Sequence, residues 1–247
     1  MNQNWNQNTN QNWNQDPYVV VNDHSQTQQD VISQIASKSF LIVFLGLILT
    51  TITAFITVSD EAFMISIFSS APTLIIICVF EIVVVLGCSF AIRKNVLGLA
   101  LGLYIAYTIL NGITLSVIFI VYDIGQVQEA FLLTTILFGA ISAYGYFTKR
   151  DLSTVGSICG MALIGAIIVT LANLFFFRSS GLVLLMDYVV VAIFIGLTAF
   201  DMYRMKQQAI NYGAEETNRI ALFTGMQLYL DFINLFLRIV RIMGRRN

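Results

Sequence analysis

Charge is scarce in this chain. Of its 247 residues, 11% are charged and 57% are hydrophobic, whereas soluble domains carry about 25% charged residues. The mean hydropathy is +0.78. Those values exclude an ordinary soluble domain and place the chain in a membrane. The formal net charge of -1 leaves no basic surplus for nucleic acid. Cysteine is also scarce. Cys78, Cys88 and Cys159 all stand in apolar runs, without a CxxC or Cys/His spacing. An odd count without ligand spacing excludes a disulfide framework or a zinc site, and buried free thiols are the plain reading. Pro17 and Pro72 are the two prolines. Neither falls inside an apolar run, so the helices are expected to run largely unkinked.

What is present divides into two regions. The start, MNQNWNQNTNQNWNQ, repeats QNWNQ at 3–7 and 11–15. Such Asn/Gln-rich sequence buries too little apolar surface to order itself, so residues 1–37 read as a disordered tail. The tail has neither a basic start nor an apolar stretch, which excludes a signal peptide. Trp5 and Trp13 are candidates to touch lipid headgroups, against the plainer reading of a low-complexity tail. Residues 38–247 read as one transmembrane domain. Apolar spans are expected at 40–58, 73–92, 96–121, 130–147, 155–177, 183–203 and 220–243. Each is long enough to cross a hydrocarbon core of ~30 Å. With no water to satisfy the backbone, each must be a helix. The predicted fold class is therefore an all-α multi-pass membrane protein with seven transmembrane helices.

Lys and Arg near the span ends set orientation. Lys38, Arg93, Lys94, Lys149, Arg150, Arg204, Lys206 and Arg219 all fall on one side of a seven-span topology. Only Arg178 lies in the opposite loops. This predicts a cytoplasmic N-terminus. Arg238, Arg241, Arg245 and Arg246 dissent, because the same topology puts them outside. Gly98 with Gly102, and Gly156 with Gly160, stand four residues apart and are expected on helix contact faces.

The last span carries the main functional signal. Thr224, Gln227, Asp231, Asn234, Arg238 and Arg241 are separated by steps of 3, 4, 3, 4 and 3. That spacing places them on one stripe of a helix. A polar stripe of this length faces other helices or a water-filled path, so the last helix is an interior one. In the sixth span, Asp187, Thr198, Asp201 and Gln208 also share a face. Asp231 lies ~16 Å deep, counted from the side of the membrane on which Asp201 lies. Antiparallel neighbours would bring the two carboxylates together in the inner half of the membrane. There they cannot both ionise cheaply, so the pair is expected to share a proton and to respond to pH. When ionised it attracts a divalent cation. Two carboxylates alone make an incomplete, weak and transient metal site, as conduction requires. Gln227 and Asn234 continue the pathway. Arg93 either pairs with the aspartates or snorkels as an anchor. Glu81, inside the second span, is a third intramembrane acid near the outer half. The plain alternative for each acid is a structural hydrogen bond. Asp201 also has Arg204 at i+3 as a local partner.

Other chemistries fit poorly. An intramembrane aspartyl protease would show Tyr-Asp, Gly-x-Gly-Asp and a Pro-Ala-Leu element. Here the aspartates stand in AFD and YLD, and no proline follows Pro72. A retinal protein needs a lysine inside a span, and a rhomboid-like hydrolase needs a membrane histidine. Every lysine is at a span end or in a loop, and the single histidine is His24. The expectation is a protein that is not an enzyme and holds no tightly bound cofactor.

Three stretches, YGYFTKRDLS at 144–153, GLTAFD at 196–201 and QLYLDFINLFLRIVRIMG at 227–244, resemble the Bax inhibitor family in its bacterial-type branch. Asn173 and Gly112 fit as well, and the likeness spans about residues 38–244. The resemblance implies that the last helix is central and wrapped by the other six. It implies a pH-sensitive calcium leak in a bacterial cell membrane, with Ca2+ as the conducted ion and protons as regulators. Asp201 and Asp231 would sense protons, with Arg93 as a latch and Lys94 as its rival. Glu81 would lie near the outer mouth. The family also implies an alternative role, regulation of stress response, cell death or a membrane protease through a membrane partner, without physiological flux.

Overall fold

The computed structural model describes residues 17–245, and it is helical throughout. The order is α1 (Pro17–Ser59), α2 (Glu61–Phe68), α3 (Ala71–Arg93), α4 (Leu97–Leu115), α5 (Ile118–Val121), α6 (Ile124–Phe147), α7 (Ser153–Ala172), α8 (Ser180–Tyr212) and α9 (Thr217–Gly244). A π-helical turn, Asn173–Phe177, closes α7, and a short 3-10 turn, Ala214–Glu216, leads into α9. No strand occurs among the described residues.

Seven helical stretches are long and apolar enough to cross a membrane: 28–59, 72–93, 97–121, 124–147, 153–177, 180–212 and 214–244. They coincide in order with the seven expected spans. Pro72 sits in the first turn of α3, where its missing N–H costs nothing. The π turn is the departure from regular helix. The side chain of Asn173 holds its exit, donating to the carbonyl of Ser179 at 3.2 Å and accepting from the Ser179 N–H at 3.0 Å.

The last helix is the centre of the bundle. Its most apolar stretch is 72% buried, against 11% to 44% for the other six spans. α9 packs against α1, α8, α6, α3 and α4, while α7 joins the bundle mainly through α8. The outer helices turn large apolar side chains outward, among them Ile76, Leu86, Ile136 and Phe176. In a membrane these meet lipid, so the apolar surface needs no other cover.

Two expectations are corrected. The tail boundary at residue 37 falls inside α1, which is helical from Pro17. Ile35 and Ala36 are buried, and Val31 and Ile32 pack against the core. These four residues recur at helical spacing, so a polar stretch carries one buried stripe into the bundle. Residues 1–16, with the Asn/Gln repeat, Trp5 and Trp13, lie outside the described residues. The small-residue faces reduce to one contact. A Cβ at Gly156 would collide with the ring of Phe200, so only glycine lets α7 approach α8 there. At Gly98, Gly102 and Gly160 a Cβ would meet nothing within 4 Å.

Candidate functional site

The polar stripe of α9 faces α8, as the spacing requires. Asp201 and Asp231 are 6% and 4% exposed. Their carboxyls lie within hydrogen-bonding reach of each other. Thr198, one turn before Asp201, reaches Asp231 from the same face of α8. Asp231 Oδ2 is buried without a hydrogen-bond partner among the described residues. A proton held between the two acids would supply the donor that this site lacks.

A cavity of about 380 Å3 runs beside the pair, lined by Asp201, Asp231, Gln227, Asn234 and Arg204, with Leu163 of α7 on its far wall. Four of the expected site residues therefore share one space. The side chain of Asn234 is already engaged, its Nδ2 donating to Leu230 O at 2.8 Å. Two acids and two amides supply oxygen ligands, but no group of three or more His, Cys, Asp or Glu converges to hold a metal among the described residues. That donor set suits loose contact with a hydrated cation better than a closed coordination shell.

Arg93 and Glu81 are not brought to the pair. Arg93, at the end of α3, lines a neighbouring cavity of about 250 Å3 with Arg204 and Arg219. Arg204 borders both cavities. Lys94 is exposed, its ammonium 5.7 Å over the ring of Phe90. Glu81 accepts from the Thr114 hydroxyl at 2.9 Å, tying α3 to α4. Near it lies a buried network that the sequence did not reveal. Tyr229 OH is 2.6 Å from Thr50 Oγ1 and donates to Asn111 Oδ1 at 3.3 Å, and Asn111 Nδ2 reaches Tyr107 OH at 3.5 Å. Tyr229 stood off the polar stripe and gave one partial signal, its hydroxyl inside an apolar span.

The largest omission from the sequence reading is at the other end of the stripe. Asp187 of α8 is fully buried, with Arg238 Nη1 at 2.9 Å and Arg241 Nη1 at 3.0 Å from its Oδ1. Its Oδ2 has no partner among the described residues. A depth count would have found this group. Asp187 is seven residues into α8 and Arg238 six residues before the end of α9, both ~10 Å from the same end of two antiparallel helices. The pairing also explains two of the four dissenting arginines. Arg238 and Arg241 are neutralised inside the bundle rather than left in an outer loop. Arg245 donates to Ser180 O at 3.0 Å.

The YGYFTKRDLS stretch plays a structural part. Lys206 Nζ donates to the carbonyls of Tyr146 at 3.1 Å and Thr148 at 2.5 Å, closing the end of α6 against α8. Hydrogen bonds from Ser153 and then Tyr203 hold Asp151, in the loop outside the membrane, below the usual carboxylate range.

Residues 32–247 match the family model described as "Inhibitor of apoptosis-promoting Bax1". The chain is 38% identical over 204 residues to the inner membrane protein YbhL of Escherichia coli strain K12, covering 81% of this chain and 87% of that protein. It is 35% identical over 228 residues to an uncharacterized protein of Borreliella burgdorferi, covering 91% and 98%. An uncharacterized membrane protein of Streptococcus pyogenes serotype M1 is 36% identical over 237 residues, covering 92% and 100%.

Proposed function

This chain belongs to the Bax inhibitor family, and we propose that within it this integral multi-pass membrane protein works as a pH-sensitive cation leak that conducts Ca2+. The observation that carries the reading is the pair itself. Two carboxyls from adjacent interior helices lie within hydrogen-bonding reach, and one buried oxygen lacks a donor. When the pair shares a proton, α8 and α9 are pinned together at Asp201 and Asp231. When the proton leaves, two negative charges face each other in a poorly solvated space and repel. α8 then shifts against α9, and the cavity lined by Gln227 and Asn234 extends along the stripe. Flux therefore rises as pH rises. Ca2+ meets the ionised pair as a transient, partly hydrated ion. Arg204 stabilises the ionised form, and Arg93 serves as a second cation one cavity away. The N-terminus lies in the cytoplasm, with the eight cations of the inner side. No bond is made or broken and no cofactor is required.

The test uses the full chain in lipid vesicles with an internal calcium dye, scanned across about pH 6 to 8. Wild type is expected to leak more at the higher pH. Asp231→Asn, which cannot lose the shared proton, is expected to give a flat profile. A mutant profile that rises as in wild type removes the pair from gating.

A second reading has its own support. Asp187 with Arg238 and Arg241 closes the outer end of the stripe, as suits a regulator that binds a membrane protease or stress-response partner without conducting ions. On that reading vesicles show no flux at any pH. Activity in cells then survives Asp201→Asn and fails when residues 1–16 are removed.

A further inference from the structure

Three arginines gather in a second cavity that meets the acid-pair cavity at Arg204. Arg93 comes from the last turn of α3, Arg204 from α8 and Arg219 from the first turn of α9. They line one cavity of about 250 Å3, together with Gln208 and Tyr212. Only Arg219 has a carboxylate there, Glu216 Oε2 at 2.8 Å from its Nε. Arg93 and Arg204 make no ion pair among the described residues. Three guanidiniums around one small space repel; Glu216 pairs with Arg219 alone, and Asp201 lies toward Arg204 in the neighbouring cavity. Two of them lie near aromatic rings. Arg204 lies 5.2 Å over Phe223, and Arg219 lies 5.9 Å over Tyr212. Guanidiniums suit bidentate contact with an oxyanion.

We propose that this cavity binds a phosphate group, carried by an anionic lipid headgroup or free in solution. Placement supports the chemistry. Arg93 stands where the α3 span ends. Basic pockets between transmembrane helices take anionic headgroups. Gln208 and Tyr212 add neutral polar contacts at the rim. The bound anion draws Arg93, Arg204 and Arg219 together and ties the ends of α3, α8 and α9. The inference depends neither on ion flux nor on the proton state of Asp201 and Asp231.

The experiment uses the purified full chain, with two probes and no flux readout. Native mass spectrometry compares retention of phosphatidylglycerol with that of phosphatidylcholine of the same acyl chains. A thermal shift titration uses sodium pyrophosphate against sodium chloride at equal ionic strength. Wild type is expected to retain phosphatidylglycerol over phosphatidylcholine by about fivefold if the source is lipid, or to show a saturable shift with pyrophosphate if the source is soluble. The Arg93→Gln, Arg219→Gln double variant is expected to lose the preference. The double Lys variant, which keeps the charge, should retain part of it, and Arg245→Gln at the opposite end should retain all of it. If the Gln variant does not fold, displacement of phosphatidylglycerol by pyrophosphate from wild type, weakened in the Lys variant, supports the site. Absence of preference for either probe in wild type overturns the proposal, as does a preference lost in Arg245→Gln but kept in the double Gln variant.

Discussion

The two ends of the α8–α9 interface solve the same problem in opposite ways. Each end buries a carboxylate of α8 on a polar stripe. At one end Asp187 meets two guanidiniums, Arg238 and Arg241, on one oxygen. At the other end Asp201 meets another acid, Asp231. Opposite charges make the Asp187 end a fixed clasp, since neither partner gains by leaving. Like groups make the Asp201 end conditional on the proposed shared proton. One interface thus joins opposite charges at one site and two like acids at another, 14 residues apart along α8. Burial alone does not separate them, because all three acids are almost fully buried. The partner decides.

The largest effect is expected at the clasp. Asp187→Asn leaves two arginines facing an amide inside the bundle and should cost about 3 kcal/mol. Thermal unfolding in detergent reads this as a lowered Tm, and a loss under about 1 kcal/mol would break the comparison. Tyr229→Phe removes the hydroxyl shared by Thr50 and Asn111. It should cost about 1 kcal/mol without changing any pH profile. Arg241→Gln is expected to cost about 0.5 kcal/mol, because Arg238 stays on Asp187 and the Arg241 side chain is 36% exposed. Asp231→Asn should lie within about 0.5 kcal/mol of wild type, because its amide can donate to Asp201 as the shared proton does. A thermal scan in which Asp231→Asn and Asp187→Asn lose equal stability would mean that both ends are clasps.

The sequence spoke clearly wherever spacing alone decides geometry. Six polar residues at steps of three and four define one face of α9, and the interior position of that helix follows. Asp201 and Asp231 came together because two depths on antiparallel helices match. The same count applied to Asp187 and Arg238 would have found the clasp. It was hidden because Arg238 and Arg241, although placed on the stripe, were weighed as charges that orient the chain and not as partners for Asp187. Arg93 illustrates a different difficulty. Its depth is evident, but whether a long side chain reaches the acids or a separate cavity depends on helix rotation, which spacing does not carry. The Tyr229–Thr50–Asn111 network joins three helices distant in sequence, so no local pattern marks it. Gly98 and Gly102 failed as packing signals because four-residue spacing shows only that two glycines share a face, not that a helix lies on it. Gly156 succeeded because Phe200 does lie there.

The central claim is that one proton is shared by Asp201 and Asp231, whereas Asp187 is held by two guanidiniums. Infrared difference spectroscopy on the full chain in lipid, stepped from low to high pH, reads it directly. Wild type should lose the carbonyl stretch of a protonated buried carboxyl as pH rises. Arg241→Gln should lose the same band in the same way, and Asp231→Asn should not show that transition. A titrating band that is identical in wild type and Asp231→Asn would contradict the account.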